Sequence, residues 1–293
     1  MLNLYIVGVG GGGGELCRRL LKFIADTSLE MLQKAGHDIT PLLEKAGEIA
    51  IPSIVDSVTL IDKDTFNPRN AIRQGHGFGS KVNQMLYIME NEPVRYTYLQ
   101  NLKLIGINKY LNPSNISELI PKVPQCNEEN GNVVGYFDVE KVLPKAKTVI
   151  FICVDNAASR YDLCKYAEEF DDVLVINGAN DKNAGHVTVY ERKGGVALDA
   201  NLPDIFPDHI KPGIDKRPDE VDPCDIVAPT NDQAERTNAI ASAFQLSVLS
   251  RWVREGLSSF KEGRNMVRKN EFLFDTYNFD LVKLFHPPKG TTL

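Results

Sequence analysis

The chain opens on a short, mostly apolar run, Leu2–Val7, rich in β-branched and aromatic side chains, and this predicts a buried strand. The run ends in Gly8-Val9-Gly10-Gly11-Gly12-Gly13-Gly14. Apolar residues then recur at Leu16, Leu20, Phe23 and Ile24, the spacing of one helix face. Strand, glycine turn and helix in that order open a nucleotide-binding α/β sheet. A second strand is expected over 57–61, ending at Asp62. Residues 25–55 between them read as a helical insertion, with a second helical pattern near 41–49 behind Thr40 as N-cap and Pro41 at the first helical position.

Further along, the pattern predicts a helix over 80–89, a third strand over 102–107, loop over 111–135 and a short helix over 138–143. The most apolar strand is 149–154, followed directly by Asp155. A helix over 157–170, a strand over 173–176 and an antiparallel addition over 186–190 come next. Six prolines fall within 194–236, which reads as a crossover segment. A helix over 238–253 and a hairpin from 271–274 and 281–285 close the chain, with 286–293 as a loose tail. The expectation is one α/β domain over 1–293. It has a Rossmann-like, mostly parallel sheet, the 25–55 insertion, the 194–236 crossover, and a C-terminal helix and hairpin over 237–293.

Composition narrows the class. Apolar residues at 43% and charged residues at 25% match soluble globular chains and exclude fibrous and disordered ones. A net charge of −6 gives no global field for nucleic acid. No apolar run reaches the roughly 18 residues of a membrane span, and the N-terminus lacks the basic start of a signal peptide. Cysteines stand at 17, 126, 153, 164 and 224 with no Cys-x-x-Cys pair, which argues against a disulfide framework and a four-cysteine zinc site. The expected compartment is the cytoplasm.

The chemistry starts at the glycines. Gly8, Gly10 and Gly13 fit G-x-G-x-x-G, in which the first permits the turn, the second admits phosphate to the backbone and the third permits close helix packing. No G-K-[ST] follows, so this is not an ordinary P-loop. Asp62 at a strand end can accept both ribose hydroxyls, although it lies 49 positions past Gly13, where a standard unit has about 20. Asp64, Asn70 and Arg73 follow, then Lys81, and an Arg and a Lys near a glycine turn suit a triphosphate. Asp155 at the end of the 149–154 strand points toward the ligand crevice, where it can hold Mg²⁺; alternatively Asp155 or Asn156 caps the next helix. His76, between two glycines, is placed to approach a nucleotide.

Taken together, Gly8-Val9-Gly10-Gly11-Gly12-Gly13, Asp62-x-Asp64, Asn70-x-x-Arg73-Gln74, Lys81, and Val154-Asp155-Asn156 with Arg160 resemble the ThiF/MoeB/HesA superfamily, the adenylation domains of ubiquitin-activating-type enzymes. The likeness covers roughly residues 1–190. The stretch Asp222-Pro223-Cys224-Asp225-Ile226, then Asn231-Asp232-Gln233 and the helix through Arg251-Trp252, is similar to ThiF-like proteins of PRTRC clusters. The resemblance implies ATP on Gly8, Gly10, Gly13 and Asp62, with Asn70, Arg73 and Lys81 on the triphosphate and Asp155 on Mg²⁺. It also implies adenylation of the C-terminal glycine of a ubiquitin-like β-grasp partner, a twofold homodimer, and a downstream conjugating or sulfur-carrier partner. Cys224 lies where related enzymes keep a thioester cysteine, though Asp222 and Asp225 beside it disfavour the thiolate. Cys17, Cys153 and Cys164 read as core, and Cys126 as a loop residue. The family's paired zinc cysteines are missing, and the arginine some members supply from an N-terminal helix would have to come from elsewhere. The competing readings are an NAD-dependent oxidoreductase, a non-catalytic half of a heterodimeric activating enzyme, and adenylation of a peptide or small molecule.

Overall fold

The computed structural model describes residues 1–48, 50–66, 79–122, 147–180, 183–217, 220, 235–254, 261–262 and 267–290. In chain order the elements are β1 (Leu2–Val7), α1 (Gly11–Lys34), α2 (Thr40–Glu44), β2 (Val55–Ile61), β3 (Thr65–Phe66), β4 (Gly79–Ser80), α3 (Lys81–Glu90), α4 (Pro93–Thr97), β5 (Lys103–Ile107) and α5 (Ile116–Leu119). The second half adds β6 (Lys147–Ile152), α6 (Ala157–Ala167), β7 (Val173–Asn180), β8 (Ala184–Lys193), β9 (Val196–Ala197), α7 (Leu202–Ile205), α8 (Glu235–Arg254), β10 (Lys261–Glu262), β11 (Val267–Arg268), β12 (Glu271–Asp275) and β13 (Asp280–Leu284).

The sheet grows outward from β1, which pairs in parallel with β2 on one side and β6 on the other. Both of its faces are covered, so every residue of LNLYIV is buried instead of alternating, including Asn3, whose Oδ1 accepts the Ser57 hydroxyl at 2.7 Å. Leu2, Leu4 and Ile6 join a core with Leu16, Leu20 and Ile24 of α1 and Leu249 and Trp252 of α8. Tyr5 and Val7 face the other way, into a core with Ile150, Ile152, Leu163 and Phe170. The full order is β13-β12-β8-β7-β6-β1-β2-β5, with β9 on β8. The block β5, β2, β1, β6, β7 is parallel. The flank β8, β9, β12, β13 is antiparallel. From β1 the chain runs out to β2 and β5, then returns to the opposite side for β6 and β7. The gap between the carboxyl ends of β1 and β6 is therefore a topological switch point, where such sheets bind ligands.

Several expected bounds shift for physical reasons. Within 25–55 the helix is the last part of α1 and the short α2. α1 runs on to Lys34, carrying buried Thr27, Ser28 and Leu32, and the Ser28 hydroxyl accepts the Ile54 N–H at 3.1 Å. α2 has five residues, with Ile39 at its N-cap and no side-chain cap, so Thr40 does not cap it. β6 stops at Ile152, which releases Cys153 and Val154 from the strand. The tail is anchored at its root: the His286 N–H donates to Asn270 Oδ1 at 2.8 Å, and its carbonyl accepts the Ala200 N–H at 3.0 Å. The expected 138–143 helix lies outside the described residues. No helix among the described residues is long and apolar enough to cross a membrane.

Candidate nucleotide site

The glycine turn sits at the switch point and shows why it must be glycine. Gly8 has φ +87°, and a Cβ there would lie 2.7 Å from the Cys153 carbonyl. A Cβ on Gly13 would lie 1.9 Å from the Gly8 carbonyl oxygen, so the first turn of α1 rests directly on the loop. Gly10 is the N-cap, no side chain caps the helix, and its first turn carries no acid. That end presents backbone N–H groups and a partial positive charge to the cleft.

Asp62 follows β2 and ties the loops together. Its Oδ2 accepts the Val9 N–H at 2.7 Å, and its Oδ1 accepts the Asp64 N–H at 2.8 Å. Each oxygen keeps a lone pair for a hydroxyl. Burial raises the pKa of the Asp62 carboxyl, opposed by the charge of Lys81. Lys81 begins α3; its Nζ donates to Asp64 Oδ2 at 2.9 Å and lies 4.0 Å from Asp62 Oδ2. Burial pulls the ammonium down, but Asp62, Asp64 and Asp155 outweigh it and hold Lys81 above the ordinary lysine value, fully charged. Burial pushes Asp64 up, yet the charge of Lys81 and hydrogen bonds from Lys81 and Tyr110 hold it below the usual carboxylate range. The Tyr110 hydroxyl donates to Asp64 Oδ1 at 2.8 Å, and Lys63 lies 5.4 Å over the Tyr110 ring. Asp64 thus braces Lys81.

Across the cleft, Asn156 caps α6 by accepting the Ser159 N–H at 2.7 Å. Asp155 does not cap the helix; it stands exposed on the cleft wall. Asp215 completes the α6 cap from the crossover, accepting the Ala157 and Ala158 N–H groups at 2.7 and 2.8 Å. Two residues on, Arg217 holds Asp162 of α6 at 2.6 Å. Arg160 is buried and donates to Asn177 Oδ1 and the carbonyls of Val154 and Gly178, so one guanidinium joins the loop after β6 to the carboxyl-terminal half of β7. Burial lowers its pKa.

The cleft is lined by Gly8, Gly10, Gly11, Gly12, Asp62, Asp64, Lys81, Asp155, Asn156 and Arg160, among others, so the expected site residues Gly8, Gly10, Asp62, Asp64, Lys81, Asp155 and Asn156 meet there. Gly13 lies just behind it. Asn70, Arg73, His76, Cys126 and Cys224 lie outside the described residues. Cys153 is not simply core: it floors the cleft, with burial pushing its thiol up to about 11. Cys17 and Cys164 are buried, and burial pushes the Cys164 thiol up to about 12. Sequence reasoning missed Tyr110, Asp215, Asn238 and Gln245. Gln245 of α8 donates to the Ile176 carbonyl at 3.4 Å and closes over Gly178, where a Cβ would be 2.7 Å from it. Asn238 crowds Gly11 in the same way.

No cluster of three His, Cys, Asp or Glu ligands forms among the described residues. The donor set is one exposed carboxylate beside a phosphate-sized turn. It fits a Mg²⁺ that arrives on a nucleotide, because Mg²⁺ keeps waters and phosphate oxygens and takes one or two carboxylates.

No protein-family model and no curated protein matches the chain. Solved structures do. Escherichia coli MccB with ATP superposes with a TM-score of 0.56 at 11% identity, over 99% of this chain and 64% of MccB. The microcin C7 biosynthetic enzyme MccB with N-formylated MccA gives 0.54 at 12%, over 99% and 66%. PaaA gives 0.51 at 13%, over 98% and 64%. The chain thus spans about two thirds of the length of these proteins. Nothing in these comparisons supports the narrower likeness to PRTRC proteins. At these identities the likeness is one of fold: the chain has the mixed α/β sheet of MccB and PaaA over nearly its whole length, as the ThiF/MoeB/HesA resemblance implies.

Proposed function

We propose that the chain is an ATP-dependent adenylyltransferase of the ThiF/MoeB/HesA type, acting on a C-terminal carboxylate. The observation that carries this reading is the meeting of an uncapped glycine helix end, Asp62, Lys81 and Asp155 around one switch-point cleft. MccB, which shares the fold, has been crystallised with ATP and with MccA, and this supports a nucleotide and a polypeptide as substrates. A ubiquitin-like β-grasp protein ending in glycine is the expected acceptor class.

In this reading the first turn of α1 receives phosphate oxygens on its N–H groups, and Asp62 takes the ribose hydroxyls. Lys81, with Asn70 and Arg73, offsets the triphosphate charge that would repel an incoming carboxylate. Asp155 would hold Mg²⁺, which supplies Lewis-acid polarisation of the phosphate oxygens when bound. An acceptor carboxylate oxygen attacks the α-phosphorus and forms an acyl–phosphate bond. The bond to the β-phosphate breaks, and pyrophosphate leaves with the electron pair. Lys81 stays protonated throughout, since its carboxylate neighbours hold its pKa up. Arg160 holds the loop after β6 against the end of β7.

A second step, transfer of the acyl group to Cys224, belongs to the same reading; its mark is a thiol-sensitive conjugate lost in Cys224→Ala while exchange survives. The described cysteines are poor rivals, because burial keeps Cys153 and Cys164 protonated near neutrality. A twofold homodimer in the cytoplasm completes it. The test is ATP–pyrophosphate exchange driven by a glycine-ended β-grasp partner. Lys81→Ala and Asp155→Ala should each lower exchange by about 10²-fold, the scale for one preorganised electrostatic group. Unchanged exchange in both would sink the assignment, and NAD binding in place of ATP would favour an oxidoreductase.

A further inference from the structure

Asp64 has a different donor on each carboxylate oxygen. Lys81 Nζ donates to Oδ2 at 2.9 Å, and the Tyr110 hydroxyl donates to Oδ1 at 2.8 Å. The Asp64 carbonyl also accepts the Lys81 N–H at 3.0 Å, so Lys81 is tied to this residue through backbone and side chain. The side chain of Asp64 is 47% exposed, whereas that of Lys81 is 12% exposed. A half-exposed carboxylate with one tether turns readily about its Cβ–Cγ bond; with a donor on each oxygen its plane is fixed.

Tyr110 is itself held from behind. It follows β5, the strand paired with β2, so its loop stands beside the one that carries Asp64. Asn115 Nδ2 donates to the Tyr110 carbonyl at 2.9 Å, and Asn115 Oδ1 accepts the Asn112 N–H at 3.0 Å. The adjoining Leu111 is buried in the second core with Ile116 and Leu119. Lys63 lies over the ring. The phenol therefore reaches Asp64 from a loop with an anchorage of its own.

The ammonium has three N–H donors, and Asp64 takes one. Asp62 Oδ2 at 4.0 Å is beyond hydrogen-bond reach. Lys81 lines the cleft, where its other donors can meet phosphate oxygens. A rotating Asp64 carboxylate would set both of its oxygens in competition for those donors.

We propose that Tyr110 is a positioning residue: by fixing the Asp64 carboxylate, its hydroxyl holds the Lys81 ammonium in the orientation that meets a triphosphate. The hydroxyl acts through Asp64 and Lys81, not on the nucleotide. The proposal rests on the reading above for the triphosphate alone. Its test measures binding without an acceptor, so a failed adenylation assay and a failed positioning role are told apart.

The experiment is calorimetry with ATP and with AMP, which lacks the β- and γ-phosphates. Tyr110→Phe removes the hydroxyl and keeps the ring. It should weaken ATP about tenfold, the lower end for one hydrogen bond to a charged group, and AMP by less than about twofold. In a Lys81→Ala or an Asp64→Ala background the same substitution should change ATP affinity by less than about twofold, because the route is already broken. In nitrogen NMR spectra of the lysine side chains, the Lys81 signal, identified by its loss in Lys81→Ala, should move in Tyr110→Phe. Thermal unfolding checks that each variant is folded. Equal losses for ATP and AMP, a loss that adds in full to that of Lys81→Ala, or an unmoved Lys81 signal each overturn the proposal. A wild-type chain that binds no ATP overturns both the proposal and the adenylation reading.

Discussion

Two helices begin at the same rim of the sheet, either side of the β1–β6 gap, and they are finished in opposite ways. α1 starts in glycine, with no side-chain cap and no acid in its first turn. α6 starts behind Asn156 and receives both oxygens of Asp215. Both ends carry the same partial positive charge. The chain satisfies one internally, which fixes the crossover to the domain, and leaves the other without a side-chain cap. An anion site is therefore recognised by what the sequence withholds: no Ser, Thr, Asp or Asn stands at the head of α1, although those are the residues helices prefer there.

The most damaging way to break this contrast is to deny α1 its close approach. Gly13→Ala drives a Cβ into the Gly8 carbonyl, and Gly8→Ala combines a backbone clash with positive φ. Each should cost about 3 kcal/mol or more in denaturant unfolding and abolish ATP binding. Next comes pH. His186 stacks on Phe206 of the crossover at 5.3 Å. Burial, helped by the charge of Arg160, lowers its pKa from 6.5 to about 4. The native state therefore binds fewer protons than the unfolded chain between those values. Its contribution is full above pH 6.5 and is lost as pH falls through about 4, by of order 2–3 kcal/mol. In His186→Phe the slope of stability over that window should flatten.

A smaller and more pointed change is Gly12→Asp. Its Cβ meets nothing closer than 3.9 Å, so the fold should survive. The carboxylate would fill the α1 end as Asp215 fills that of α6, and ATP affinity in calorimetry should fall about tenfold to a hundredfold. The smallest effect is expected for Asp215→Ala, which uncaps α6 for about 1 kcal/mol of stability. ATP affinity should stay within about twofold of wild type. A large loss of affinity would show that the two helix ends are not separate in function.

The parallel strands and the α1 turn were legible because their signals are local: apolar runs, glycines, and an acid after β2 and after β6. Gly8, Asp62 and Asp155 stand out for the same reason, and Lys81 through its place after Asn70 and Arg73 in the family resemblance. Asp215 could not, since it caps a helix 58 positions earlier from within a Pro-rich segment that carries no periodicity. Arg160 was visible as a residue but not as a buried tie between two strand ends, because its partners are mostly backbone carbonyls. Tyr110 and Gln245 reach the cleft from elements whose own patterns say only loop and apolar helix. The length of α1 is not legible because its buried Thr27 and Ser28 interrupt the apolar stripe where the Ser28 hydroxyl accepts the Ile54 N–H.

The place of β1 at the centre of the sheet has a consequence for synthesis on the ribosome. Leu2 pairs with Val55 on one side and with Lys147 on the other. Translation at roughly 5–20 residues per second separates β1 from its second neighbour by roughly 7–30 seconds. Through that interval a strand that ends wholly buried has one edge and much of its apolar surface uncovered. α1, β2 and β5 can assemble beside it early, but the switch-point cleft cannot exist until β6 has emerged. The nascent chain is thus an exposed half-sheet from the completion of β5 until β6 emerges, a natural client for chaperones that hold apolar strands apart.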